Sequence, residues 1–329
     1  MMLMQRFQAR GPWRRVLVAG VEAAAFFAAA SLLLASSPFA AAQKQEVAGS
    51  TVITILPENE APGGIPQDAL HLKLDGKQSA ITGFTPLRDP QSKVEMVVLI
   101  DDGARSSLGL QLNDVAKFIQ SQRPDTKVAV AYMMNGRAVL SGPLTTDHDS
   151  VLRGLHLTMA GGEAGISASP YFCLSDLAKN WPSNDARVRR EVVMITDGVD
   201  YYDMHYDPAD PYVQTALDDA VRGRLIVYSI YWRSADRFDR TNYGASDGQN
   251  LLAQVTQGTG GVSYWMGTGN PVSLVPYFED ISRRLENQYE LDFMTAVGNK
   301  PEMQSIKLSV SAHAKVSAPL QVYVHTGVE

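Results

Sequence analysis

The chain has 329 residues, 45% of them hydrophobic, enough to bury a core in one large domain or in one domain with a small companion. Its formal net charge is −6 and no basic stripe runs through it, so phosphate backbones are repelled and nucleic acid is excluded as a natural partner. The single cysteine, Cys173, leaves no intramolecular disulfide to form, and its apolar neighbours in "SPYFCLSDLAKNW" predict a buried helix position.

Arg6, Arg10, Arg14 and Arg15 precede an apolar stretch over 16–35, and Ala40 and Ala42 then give a small-x-small pattern. That is a secretory signal over residues 1–42, cut near Gln43, although Glu22 sits inside its apolar part. The alternative is an uncleaved anchor, since residues 23–42 approach the length that spans a bilayer. The expectation is export to the periplasm or beyond, with no membrane span once the signal is cleaved. Without residues 1–42, which hold four arginines and one glutamate, 25 basic residues face 34 acidic ones.

Residues 43–91 predict short strands and turns. "TVITIL" is β-branched, "LHLKLDG" alternates with a period of two, and "DGK" is a hairpin turn. Residues 92–288 change character. "VEMVVLI" is a continuous apolar run of the kind a doubly covered strand shows. Leu108, Leu112, Val115 and Ile119 then recur at helical spacing, and "KVAVAYMM", "EVVMI" and "LIVYSIYW" alternate with helices near 151–155, 168–181, 213–221, 251–256 and 274–285. Alternation of this kind predicts an α/β fold with a doubly wound, mainly parallel sheet. In 289–329, "YELDFM", "SIKLSVSAH" and "LQVYVH" return to a period of two. They predict a flanking β-rich module built with the N-terminal segment.

In open parallel sheets, ligands sit beyond the carboxyl ends of the strands. Two strands here end there in acid: "VVLI" runs into Asp101 and Asp102, and "VVMIT" into Asp197. Paired carboxylates offer oxygen ligands to a hard cation such as magnesium or calcium. Equally, aspartate caps helices and turns without binding anything. The loop "DGVDYYDMHYDPADPY" interleaves acids with Tyr201, Tyr202 and Tyr206. It reads either as a rim that recognises another protein or as a solvated approach to the next helix, and its spacing fits no calcium loop.

"VVLIDDGARSS", the middle "GGEAG" and "VVMITDG", in this order, resemble a von Willebrand factor type A (VWA) domain, and the chain is similar to secreted bacterial proteins in which such a domain sits between β-rich flanks. The resemblance covers roughly residues 92–290. It implies an Asp-x-Ser-x-Ser motif, a threonine from a middle loop and a later aspartate around a divalent cation, whose open position takes an acidic side chain of a protein ligand. Matched residue by residue, the first acid falls on Asp101 and the serine slots on Gly103 and Arg105. Starting from Asp102 recovers Ser106 but puts Ala104 in the first slot. Gly161 and Gly162 resemble the threonine loop but run into Glu163 and Ala164, whereas Asp197 and Gly198 match the last element.

A guanidinium about 5 Å from a divalent ion would repel it by roughly 6–7 kcal/mol at an effective dielectric near 20. The expected site is therefore degenerate. Asp101 and Asp197 bind metal weakly or not at all, Arg105 balances their charge, and no cofactor is required beyond a weakly held magnesium or calcium ion. The ligand-binding residues are then Asp101, Asp102, Arg105, Glu163, Asp197, Tyr201 and Tyr202, engaged in adhesion or another protein–protein contact. No zinc-protease histidine pair, serine-hydrolase elbow or phosphate cradle occurs, so no catalytic residue is assigned and the chain is not expected to be an enzyme. Two alternatives remain: a magnesium- or calcium-dependent ligand-binding domain, and a hydrolase that uses the Asp101/Asp197 pair.

Overall fold

A computed structural model describes residues 45–57, 65–88, 92–104, 106–157, 169–185, 188–203, 206–233, 242–311 and 313–326. Arg105 and Glu163 lie outside them. The elements are β1 (Gln45–Pro57), β2 (Leu70–Leu74), β3 (Lys77–Gln78), β4 (Ile81–Pro86), β5 (Val94–Asp101), α1 (Leu112–Ser121), β6 (Lys127–Met134), β7 (Arg137–Leu140), α2 (His148–Leu152) and α3 (Pro170–Lys179). There follow β8 (Arg189–Thr196), α4 (Pro211–Arg222), β9 (Leu225–Tyr231), α5 (Asn242–Gly258), β10 (Ser263–Tyr264), α6 (Val275–Glu286), β11 (Gln288–Val297), β12 (Glu302–Val310), β13 (Ala314–Ser317) and β14 (Gln321–Val324).

Every residue of β5 is buried, because apolar side chains on both of its faces meet helices. Val115, Phe118 and Ile119 of α1 pack with Phe278 and Ile281 of α6 on one side. Leu174 of α3, Val213 of α4 and Val255 of α5 pack on the other. Full burial of one such valine or leucine contributes about 1.5–3 kcal/mol, so β5 is held from both sides. The strand order in that sheet is β10-β9-β8-β5-β6-β7. The first four pairs are parallel, and β7 returns antiparallel to β6. The return is made by Asn135 and Gly136, both at positive φ, the geometry of a tight hairpin turn.

The remaining strands form two antiparallel four-stranded sheets, β13-β1-β11-β4 and β14-β12-β2-β3. In "LHLKL" of β2, burial alternates residue by residue, and the inward side chains Leu70, Leu72 and Leu74 join Ile53, Leu291, Phe293 and Val322 in one core. These findings correct the expected architecture. The chain is not a doubly wound, mainly parallel sheet with a minor flank: eight of its fourteen described strands lie in wholly antiparallel sheets, and the six-stranded sheet is itself mixed. The cause is hydrogen-bond pairing between distant segments. The thirteen-residue β1 pairs along most of β11, a register that no local periodicity encodes. Among the described residues, no helix is long and apolar enough to cross a membrane.

One buried side chain joins the layers. Arg189, the first residue of β8, is only 6% exposed. It donates to the backbone oxygens of Leu87 at 3.0 Å and Leu285 at 3.1 Å, and to Oε1 of Gln288. Two residues on, Glu191 is fully buried, with the Arg189 guanidinium and Gln288 as the polar groups near its carboxylate. Burial pushes its pKa from 4.5 up to about 7, against the pull of the Arg189 guanidinium.

The folded state therefore holds the Glu191 proton more tightly than the unfolded chain does. That contribution to stability is complete below about pH 4.5 and is lost as pH rises through about 7. Glu191→Gln fixes the neutral form. Its stability relative to the natural chain should rise between acidic and mildly alkaline pH by on the order of 3 kcal/mol, read from urea midpoints. A difference that stays constant with pH would show that Glu191 does not titrate in this range.

Candidate functional site

β5 and β8 are neighbours and run parallel, so their ends deliver Asp101 and Asp197 to the same edge of the sheet. Both side chains are buried, each only 3% exposed. Asp101 Oδ1 accepts from the Gly103 backbone N–H at 2.8 Å, and Oδ2 from the Thr196 hydroxyl at 2.8 Å. The Thr196 oxygen in turn accepts from the Gly198 N–H at 3.2 Å. Asp197 Oδ1 accepts from the Val199 N–H at 3.1 Å, and Oδ2 from the Tyr201 hydroxyl at 2.7 Å. Thr196 thus links the two strand ends, and both carboxylates are engaged by local donors.

Two glycines allow this close assembly. Gly198 adopts φ +70°, where a side chain is strained. Gly248 of α5 lies so near that a Cβ would fall 2.1 Å from the Asp197 backbone oxygen. Below them, the fully buried Tyr171 of α3 donates its hydroxyl to the Gly198 carbonyl at 2.6 Å. Burial raises the Tyr171 pKa well above its ordinary value, and Asp200, Asp197 and Asp210 push the same way, so it remains a neutral donor.

The sequence-derived site residues separate into groups. Asp101 and Asp197 come together through Thr196, and Tyr201 turns inward as a partner of Asp197. Asp102 is half-buried in the turn after β5, close enough to Tyr132 to raise that phenol's pKa, an effect smaller than that of burial. Tyr202 is 49% exposed and packs edge-on against Phe172 and Tyr212, with centroids 5.2 and 4.8 Å away. Arg105 and Glu163 fall outside the described residues. Thr196, Tyr171 and Gly248 were not singled out from the sequence. Thr196 did carry a signal, as a hydroxyl directly before the strand-end acid.

The described residues do not fit the divalent cation that the VWA resemblance implies. No three Asp, Glu, His or Cys side chains among them gather as a cation site. In the first serine slot, Gly103 supplies an N–H donor where a metal needs an oxygen ligand.

The same edge carries exposed apolar side chains. Leu110 is 82% exposed, and Leu157 packs against Gly109 beside it. Val272, 86% exposed, is tied to this corner by a hydrogen bond from Gln111 Nε2 to its carbonyl at 3.1 Å. Trp265 and Met266 stand exposed just past the end of β10.

No family model and no curated protein matches the chain. Solved structures with distant likeness include proximal thread matrix protein 1 from the mussel byssus, at 15% identity and a TM-score of 0.35. That likeness covers 59% of this chain and 46% of the mussel protein, so this chain spans less than half of that relative's length. The N-terminal domain of TFIIH p34 has 13% identity and a TM-score of 0.35, covering 57% of this chain and 96% of that one. The pilus adhesin SpaC from Lactobacillus rhamnosus GG, in an open conformation, has 9% identity and a TM-score of 0.43, covering 82% of this chain and 49% of that one.

Replacing Thr196 by valine keeps the shape but removes a donor to a buried carboxylate and the acceptor of the Gly198 N–H. A loss of about 2–3 kcal/mol in denaturant unfolding is expected. Gly248→Ala should cost about 1–3 kcal/mol, because the new methyl group meets a backbone oxygen that has no room to retreat. Wild-type stability in either variant would mean that the strand ends are held by other contacts.

Proposed function

We propose that the protein is an exported, non-enzymatic interaction protein of the VWA kind that grips another protein through the C-terminal edge of its six-stranded sheet, without a strongly bound metal. The observation that carries this reading is the exposed apolar corner of Leu110, Leu157, Trp265, Met266 and Val272 on the edge where Asp101 and Asp197 lie. Apolar side chains gathered at one edge are what a contact surface needs, whereas scattered ones need no explanation. The flanking loop adds Tyr202 and Tyr206, whose rings offer contact area at small entropic cost. Hydrogen bonds that hold both carboxylates in place support a structural role for them in shaping the edge.

Crosslinking capture at the surface of the producing cell tests this proposal. The Leu110→Ser/Trp265→Ser double variant should lose at least tenfold of the partner recovered with the natural chain, since buried apolar anchors dominate binding. Leu320→Ser, exposed elsewhere on the chain, should keep it. Equal recovery by all three proteins would sink the reading. Calorimetric titration with magnesium, manganese and calcium tests the metal-free part: binding tighter than about 10 μM that disappears in Asp101→Ala would contradict it.

A further inference from the structure

The opposite edge of the six-stranded sheet holds a second feature. Lys93 precedes β5, Arg190 is near the start of β8 and Arg224 sits just before β9, so the N-terminal ends of three adjacent strands bring cations together. With Arg189 they line a cavity of about 330 Å³ between that edge and the β1–β11 pair. Among the described residues, the acids that line it are Asp185 and Glu290, against four cations.

The donors there are incompletely used. Arg190 donates to the carbonyls of Gly223, Ser183 and Asp185, all at 3.3 Å, yet its Nε–H is buried without an acceptor. The Nε–H of Arg189 is likewise unmatched. Arg224 donates to the Ser50 hydroxyl at 3.0 Å and reaches Glu290 at 3.5 Å. Lys93 is exposed and forms no ion pair among the described residues. Burial lowers the Arg190 pKa; Glu95 and Asp185 oppose that, and the nearby Arg224 reinforces it.

Past Arg224 lies a second cavity. Val52, Arg224 and Ile226 line it too; its volume is about 320 Å³, and its walls mix Leu225, Val322 and Val324 with Arg222, Gln321 and His325. A cation-lined pocket beside a second, partly apolar one suits a ligand with an anionic head and an organic body. Lys93, Arg190 and Arg224 together offer three cationic side chains, which a doubly charged head can share. We propose that this joint cavity binds a small organic phosphate monoester, its phosphate held by Lys93, Arg190 and Arg224 and its apolar body lying beside Ile226. The site is separate from the protein-binding edge.

Calorimetric titration of the full-length chain with phenyl phosphate, phenyl sulfate and inorganic phosphate, run well above the second phosphate pKa of about 6, tests this. Phenyl phosphate should bind at least roughly tenfold tighter than phenyl sulfate, which carries one charge, and than inorganic phosphate, which lacks a body. Lys93→Gln and Arg224→Asn should each weaken it roughly tenfold or more, as expected for the loss of a charge-assisted hydrogen bond. Asparagine is chosen because residue 224 has φ +57°, which it tolerates, and Lys93 is exposed, so both variants should fold. Lys307→Gln, on β12, makes the same charge change elsewhere and should bind as the natural chain does.

Four results would overturn the proposal. They are no binding up to about 10 mM, well beyond the millimolar affinity that a few charged contacts give; affinity untouched in both cavity variants; equal loss in the Lys307 variant; and phenyl sulfate binding as tightly as phenyl phosphate. Inorganic phosphate binding as tightly as the ester would overturn the organic body.

Discussion

The buried guanidinium of Arg189 is the joint on which the arrangement of the layers depends. It starts a strand of the six-stranded sheet, and its donors reach the segment leading into β5, the end of α6 and the first residue of β11. Nearby, Leu87 N–H bonds to the Gln288 carbonyl, and Arg88 donates to the Glu286 carbonyl and to Asn287. Polar groups buried at this junction need partners, because each orphan costs as much as a hydrogen bond contributes. The mixed sheet and the antiparallel layers are therefore held in register by charge-assisted bonds to backbone as well as by apolar packing.

From that joint the two ends of the six-stranded sheet acquire opposite characters. At the carboxyl ends, Asp101 and Asp197 are drawn inward by Gly103, Thr196, Val199 and Tyr201, so the acids stabilise the loops they begin. Outside them, apolar and tyrosine side chains face solvent. At the amino ends, cations converge on a cavity shared with the antiparallel layer. A parallel arrangement makes this polarity possible, since residues at equivalent ends of neighbouring strands meet on one side.

Several elements were legible because their signals are local. "VEMVVLI" has no polar residue except Glu95, whose carboxylate is met by Trp181 Nε1 at 2.8 Å and Lys127 at 3.1 Å, so an unbroken apolar run did mark a buried strand. "LHLKLDGK" gave β2, its turn and β3, because a period of two and an Asp-Gly pair at positive φ suffice to make a hairpin. Helix α5 was underestimated. It extends over Asn242–Gly258, while apolar spacing marks only its last turns, and its earlier part is rich in glycine and polar residues. At the site, the two strand-end acids were visible as the places where apolar runs stop. Their partners were not, since Tyr171 is 27 residues from Gly198 along the chain and meets it only after α3 docks on the sheet.

By itself, the sequence determined where most strands and helices lie, that acids follow the apolar runs of β5 and β8, and that the chain carries excess negative charge. These depend on neighbouring residues and on composition, which are written in order along the chain. Tertiary structure alone decided that β1 pairs with β11, that most strands join antiparallel sheets, that Tyr201 turns inward while Tyr202 stays exposed, and that Arg189 is buried and Lys93 exposed at one junction. Each of these is a contact between residues far apart in sequence, whose free energy exists only once packing has removed water from between them.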